Sequence, residues 1–136
     1  MENNDTRGLL EELRRLSEGL FYRSETDAPL EPVSFPAQQN ELTLEEAVAL
    51  SGQPEGTKAE VVDLDWFLRH MVREPEDALE EEKKQAQGFR ELKAFLESQL
   101  SGIRVYRIGD RRITALVLGN APGAGFAGLK TFLVET

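Results

Sequence analysis

Two apolar segments in the last third of the chain are separated by a turn signal. Residues 103–108 and 112–118 are rich in valine, isoleucine and leucine, and Gly109-Asp110 lies between them. This pattern predicts a β-hairpin. The second segment is almost entirely apolar, which is typical of a central strand. The hairpin therefore limits the fold more than any other feature of the sequence, because a central strand needs neighbours on both sides.

Helical patterns precede these strands. Residues 6–20 carry leucines at helical spacing, so one face of the predicted first helix is apolar. Asp5 or Thr6 can cap its start, and Gly19 falls near its end. A second, short helix is predicted by a capping box, in which Thr43 is the N-cap and Glu46 follows three residues later.

The middle of the chain predicts a short strand and two further helices. Residues 59–62 read as an extended piece, and Asp63 or Asp65 can cap the helix that follows. A long helix is then expected over residues 75–100, with an acidic first part and Gly102 as its stop.

Two other segments complete the predicted architecture. Residues 22–39 contain three prolines and predict a loop with at most an edge strand, because proline lacks the N–H that a central strand donates. A glycine-rich loop at 120–128 leads to a final strand at 129–134. Helices come first and strands mostly late, which favours an α+β fold with helices covering an antiparallel sheet. The length of 136 residues fits one domain spanning residues 1–136.

Composition narrows the classes of function. The chain has no cysteine, a polar start and no apolar run near the roughly 20 residues that a membrane span requires, so a soluble cytoplasmic protein is expected. Acidic residues outnumber basic ones 25 to 16, giving a net charge of −9. Direct binding to nucleic acid is not expected, since phosphate contacts need a basic surface. The charge suits a basic protein partner, although on charge alone solubility is the simpler explanation.

Catalytic and cofactor motifs are weak. His70 is the only histidine, and no nucleophile motif accompanies it, so a helical surface or packing role is the simpler interpretation. Residues 123–128 match the glycine spacing of a dinucleotide-binding loop, but too few residues follow for the required helix and ribose-binding acid. The acidic segment 74–82 lacks the pattern of a calcium loop and reads as a solvated helix start. No catalytic residue, metal site or cofactor is predicted.

Two polar features are harder to explain as ordinary solvent-exposed residues. Ser24 and Glu25 belong to a polar turn directly after the first helix, and the final apolar strand ends in Glu135-Thr136. A strand should hold this terminus in place, unlike most termini. The terminal carboxylate, the Thr136 hydroxyl and Glu135 put hard oxygen ligands at one point, which suits a magnesium ion, including one held by a partner.

Taken in order along the chain, several segments make the sequence similar to the nuclease A inhibitor family, bacterial proteins that block a non-specific DNA/RNA nuclease. The segments are Leu16-Ser-Glu-Gly-Leu-Phe21 with Ser24-Glu25, Val61-Val-Asp-Leu-Asp65 with Phe67, Val105-Tyr-Arg-Ile-Gly109, Val117-Leu-Gly119 before Pro122, Ala127-Gly128, and Val134-Glu-Thr136. None is a sharp motif alone, but their order and spacing together are specific.

The resemblance implies an α/β/α sandwich and a mechanism. The inhibitor would resemble nucleic acid in charge, occupy the cleft of a magnesium-dependent nuclease, and be a monomer when free. Glu25 matches an acidic contact residue, and Thr136 matches a C-terminal group that approaches the nuclease's catalytic magnesium, while the inhibitor holds no metal itself. Ser24 and Glu135 flank these positions and are expected to contribute to the contact.

One departure from the family pattern concerns the loop before the long helix. The family prototype has aromatic residues there, whereas this chain has Asp77-Ala78-Leu79. Asp77 is expected to contact the partner, but aromatic residues are frequent interface anchors, so the target nuclease could differ. Two alternatives stay open: an acidic module of the same fold that binds another basic protein, and a small hydrolase that uses His70 and a carboxylate.

Overall fold

The computed structural model of the chain describes residues 2–36, 41–122 and 125–136. The helices are α1 (Glu2–Ser17), α2 (Leu44–Ser51), α3 (Leu64–Leu68) and α4 (Glu80–Gln99). The strands are β1 (Phe21–Arg23), β2 (Asp27–Pro29), β3 (Glu31–Phe35), β4 (Ala59–Val62), β5 (Ser101–Gly109), β6 (Arg112–Asn120) and β7 (Phe126–Val134). None of the helices in these ranges is both long enough and apolar enough to cross a membrane.

A five-stranded antiparallel sheet organises the molecule. Its strand order is β3-β7-β6-β5-β4, so β6 is central and β5 and β6 form the predicted hairpin. The register pairs Val117 of β6 with Val105 on one side and Leu129 on the other. The almost uninterrupted apolar sequence of β6 is explained by this position, because its residues 113–119 are all buried.

Helices cover both faces of the sheet, which confirms the α+β fold and the sandwich arrangement. Side chains alternate along a strand, so Val105 and Val117 face the layer of α1, α3 and α4, where Phe67, Phe89 and Leu92 are buried. Tyr106 and Leu116 face the other side, where α2 contributes Ala47 and Val48. The two layers are unequal, since three helices pack on one face and one on the other.

The first helix differs from its prediction at both ends. α1 begins at Glu2, so Asp5 and Thr6 lie inside the helix rather than at its start. The helix ends at Ser17 rather than residue 20, because Leu20 donates its N–H to the Ser17 carbonyl and Gly19 takes a left-handed conformation with φ of 80°.

The capping box of α2 is confirmed. Thr43 Oγ1 accepts a hydrogen bond from the Glu46 N–H at 3.1 Å, and the Glu46 carboxylate accepts one from the Thr43 N–H at 2.8 Å. The helix ends at Ser51, and Gly52 follows with φ of 82°. β4 occupies the predicted residues 59–62, and Asp63 rather than Asp65 caps α3, with its carboxylate 2.7 Å from the Trp66 nitrogen.

The prediction for the start of the long helix was wrong. α4 begins at Glu80, five residues later than expected, because a turn in which Ala78 donates to the Pro75 carbonyl occupies the preceding residues. Gly102 does not stop the helix. It lies inside β5 with φ of 60°, at an irregularity of the pairing with β6, and the helix ends where Leu100 becomes extended.

Two strand predictions need correction. Residues 22–39 contain the expected edge strand β3, but residues 21–29 also form the small hairpin β1–β2, which was not predicted; residues 37–39 lie outside the described ranges. β7 begins at Phe126, three residues earlier than predicted. Gly128 pairs inside it, where a Cβ atom would collide with the Val117 carbonyl, so this glycine serves sheet packing. Gly123, the first glycine of the dinucleotide-like pattern, lies outside the described residues.

Candidate functional site

The turn after β1 and the end of β7 meet at one corner of the molecule. Ser24 Oγ accepts a hydrogen bond from the Val134 N–H at 3.0 Å, and the Glu25 N–H donates to the Val134 carbonyl at 3.3 Å. The turn therefore binds both backbone groups of the last residue of β7. The polar turn at Ser24 and Glu25 thus serves to anchor the end of the apolar final strand.

The Glu25 carboxylate binds the last residue of the chain. It accepts the Thr136 N–H at 2.6 Å, and the Thr136 hydroxyl donates to the same carboxylate at 2.9 Å. Both residues are exposed. Hydrogen bonds at Val134 and Thr136 thus hold the end of β7 and the residues beyond it, and they limit the conformations of the Thr136 hydroxyl.

Glu135 is fixed from the opposite side by a buried arginine. Its N–H donates to the Arg111 carbonyl at 2.8 Å, and its carboxylate lies 2.6 Å from Nη2 of Arg107. Arg107 is only 8% exposed, and its other terminal nitrogen lies 2.6 Å from Glu60, the residue directly opposite on β4. One guanidinium therefore connects the edge strand β4 to the C-terminal residues.

A depression of about 510 Å³ opens beside Thr136. Tyr22 stacks on Phe67 beneath it, with ring centroids 4.4 Å apart, and donates its hydroxyl to the Phe67 carbonyl at 2.8 Å. Burial raises the pKa of the Tyr22 hydroxyl to about 12, although the nearby positive charges of Arg107 and Arg69 act in the opposite direction. A neutral, stacked phenol thus forms a rigid floor for the site.

A family model described as Nuclease A inhibitor-like protein matches residues 7–136. The chain belongs to the nuclease A inhibitor-like family. A comparison with curated proteins finds no match. The family match includes the whole corner described above, from Ser24 to Thr136, and confirms the resemblance found in the sequence.

In this family member, four of the five residues expected to contact a partner lie together. They are Ser24, Glu25, Glu135 and Thr136, and all of them line the depression. Asp77 is exposed in the loop between α3 and α4 and does not line it. Within the described ranges, Asp77 makes no hydrogen bond or ion pair. If it contacts a partner, it must do so from a separate part of the surface.

The positive residues of the site were not predicted from the sequence. Arg23, Arg69 and Arg107 line the depression together with Trp66 and His70. Arg107 left a signal, because alternation along the strand places it on the same face as buried Val105, where an arginine requires partners. The other two arginines left no comparable pattern, since Arg23 ends a strand of three residues and Arg69 follows a helix of five.

Among the residues that the structure describes, no cluster of three or more histidine, aspartate or glutamate side chains could hold a metal ion. The His70 ring is exposed, and it makes no hydrogen bond to any described residue. What the corner offers is a rigid set of oxygen and guanidinium groups suited to binding.

Proposed function

We propose that this chain is a protein inhibitor that binds the active-site cleft of a non-specific, magnesium-dependent DNA/RNA nuclease. Membership of the nuclease A inhibitor-like family supports a nuclease as the partner. The observation that carries the proposal for the mechanism is the pair formed by Glu25 and Thr136, whose oxygens are exposed and held in fixed positions.

Preorganisation is the first argument for this corner as the inhibitory surface. A terminal residue that moves freely would lose conformational entropy on binding, which lowers affinity. Thr136 is already restrained by Glu25, and Glu135 by Arg107. The terminal oxygens can therefore enter a partner's cleft with little further ordering.

Ligand chemistry is the second argument. Magnesium prefers oxygen ligands and retains several waters, so a ligand that replaces one of these waters needs a small, exposed oxygen donor. The Thr136 hydroxyl supplies such a donor. The Glu25 carboxylate would meet a basic side chain that normally holds substrate phosphate. The inhibitor itself would need no metal or cofactor and would perform no catalysis.

Charge is the third argument. A net charge of −9 attracts a basic cleft over a distance and raises the rate of association. Asp77 would add a second acidic contact from the loop before α4. This loop also supports the alternative, an acidic module for another basic protein, because Leu79 is its largest apolar side chain and is 71% exposed. A leucine in place of aromatic anchors would fit a differently shaped partner.

The test is an inhibition assay with a metal-dependent, non-specific nuclease from the same organism. We expect cleavage of both DNA and RNA to fall in proportion to added protein, and to stop near a 1:1 ratio. Size-exclusion chromatography of the mixture should show a complex. A complex without inhibition would favour the alternative module, and neither complex nor inhibition would contradict the proposal. Turnover of nucleotide substrates by the protein alone, lost in His70→Ala, would instead support a hydrolase.

A further inference from the structure

Positive charge is concentrated in the depression beside Thr136, although the protein as a whole is acidic. Arg23, Arg69 and Arg107 line it, and we call these three residues the arginine wall. The chain has 16 basic and 25 acidic residues, so an arginine has many possible carboxylate partners. An arginine that forms no ion pair in so acidic a chain is therefore a candidate for binding an acidic group of a partner.

Only one member of the arginine wall is paired with carboxylates. Arg107 binds Glu60 and Glu135, as described above. Arg69 donates to the Trp66 carbonyl at 2.6 Å, and Arg23 donates to the His70 carbonyl at 3.4 Å. Within the described part of the chain, neither Arg69 nor Arg23 forms an ion pair, and the buried Nε of Arg23 has no hydrogen-bond partner.

Arg69 is also preorganised. Its guanidinium lies 3.7 Å from the centroid of the Trp66 ring, and Trp66 is 40% exposed. A guanidinium that stacks on an aromatic ring keeps its in-plane N–H donors available, and their fork geometry matches the two oxygens of a carboxylate. Carboxylate and phosphate oxygens are the groups that such a fork binds best.

The remaining residues of the depression favour a carboxylate over a phosphate. Glu25, Glu135 and the terminal residue Thr136 line the same space. Nucleic acid would bring a row of phosphates against these negative groups, whereas a protein side chain brings a single carboxylate. The space next to Thr136 is therefore suited to one acidic side chain.

We infer that the arginine wall receives an aspartate or glutamate side chain of the bound nuclease, with Arg69 as its main donor. This inference rests on the proposed function. Magnesium sites in proteins usually include one or two carboxylates, so we expect an acidic side chain of the nuclease near the metal that Thr136 would approach. Glu25 would then contact the basic part of the nuclease cleft, and the arginine wall would contact the acidic part.

The direction of one mutational effect tests this inference. Arg69→Gln and Arg73→Gln each remove one positive charge. Arg73 is exposed, does not line the depression, and forms no ion pair with any described residue, so it is the matched control. If the arginines merely oppose a basic partner, both substitutions should leave binding unchanged or tighten it. If Arg69 binds a carboxylate, Arg69→Gln should weaken binding at least about tenfold, mainly through faster dissociation.

A second measurement does not depend on the nuclease. Trp66 is the only tryptophan, so its fluorescence reports on Arg69. We expect a short poly-aspartate peptide to change the emission of the wild-type protein but not of Arg69→Gln, while a single-stranded oligonucleotide has no effect. Melting temperatures of the variants confirm that both are folded.

The two readouts separate the possible outcomes. Inhibition by the wild type, with equal affinity in Arg69→Gln and no response to the peptide, would overturn the arginine wall and leave the proposed function standing. A peptide response that requires Arg69, without inhibition, would contradict the proposed function and retain the carboxylate site. A fluorescence response to the oligonucleotide alone would show a phosphate site and overturn the inference. The absence of both inhibition and a fluorescence response would overturn both the proposed function and the carboxylate site.

Discussion

At the residue scale, the contact between Glu25 and Thr136 has an orienting role. These hydrogen bonds are exposed to solvent, so each contributes less net stability than the roughly 0.5–1.5 kcal/mol of a typical intramolecular hydrogen bond. Their value for binding is that they reduce the number of conformations of the last residue before a partner arrives. The ion pair between Glu135 and Arg107 likewise restrains Glu135 before a partner binds.

Tyr22 provides a pH-dependent test of the floor of the site. Its pKa is about 12 when folded, against an ordinary value of 10.0, because burial disfavours the phenolate. The resulting stabilisation is fully present below pH 10 and is lost as the pH rises to about 12, an effect on the order of 1–3 kcal/mol. We expect the free energy of unfolding to fall between these pH values, and to fall less in Tyr22→Phe.

Denaturant unfolding of both proteins from pH 8 to 12 measures this difference. Burial also raises the pKa of Tyr106, but that residue is present in both proteins and contributes equally to both pH profiles. Parallel pH profiles for the wild type and Tyr22→Phe would show that Tyr22 is not buried as described.

Residues with local partners could be predicted from the sequence, and residues with distant partners could not. Thr43 and Asp63 bond to backbone within three residues, so a cap motif was sufficient to find them. Arg107 bonds to Glu60, 47 residues away, and no periodicity specifies such a partner. The meeting of Glu25 and Thr136 over 111 positions was expected only in part, through the family resemblance.

At the scale of elements, the strands with strong patterns were predictable. β5 and β6 were expected because their β-branched sequences flank a turn signal, and β6 proved to be central. The hairpin of β1 and β2 was missed because each strand has three residues, too few for an alternation to appear. The start of α4 was placed too early because acidic residues before Glu80 suit a loop as well as a first helical turn.

The final strand gives a prediction for the chain terminus. β7 ends at Val134, so deleting Thr136 removes an exposed residue beyond the sheet. We expect the deletion to change the free energy of unfolding by no more than about 0.5 kcal/mol, as for other surface changes. A C-terminal tag should behave similarly, because the anchored strand is intact. Both changes should weaken nuclease inhibition at least about tenfold, since they remove or displace the terminal oxygens.

The matched control is the same tag at the N-terminus. The family match begins at residue 7, so the residues that carry this tag precede the matched part of the chain, and this form should inhibit like the untagged protein. Melting temperature and inhibition should be measured for all three forms. Full inhibition by the C-terminally tagged protein would place the interface elsewhere on the acidic surface.

At the scale of the whole molecule, two effects of charge must be separated. The net charge of −9 acts over distances comparable to the Debye length, about 8 Å at physiological ionic strength, and mainly changes the association rate. A close contact that excludes water acts on dissociation and is screened less. An inhibitor of the kind proposed should show both, and salt should slow its association strongly.

The most direct test of the inhibitor account compares two substitutions that change the net charge equally. Glu25→Ala removes the carboxylate at the corner, and Glu81→Ala removes an exposed carboxylate in the first turn of α4. Dissociation constants for the nuclease should be measured at low and physiological salt, with melting temperatures as a check on folding. The account predicts that Glu25→Ala weakens binding at least about tenfold through faster dissociation, whereas Glu81→Ala changes it less than about threefold. Equal losses from the two variants, disappearing together at higher salt, would contradict it, because net charge alone would then explain the binding.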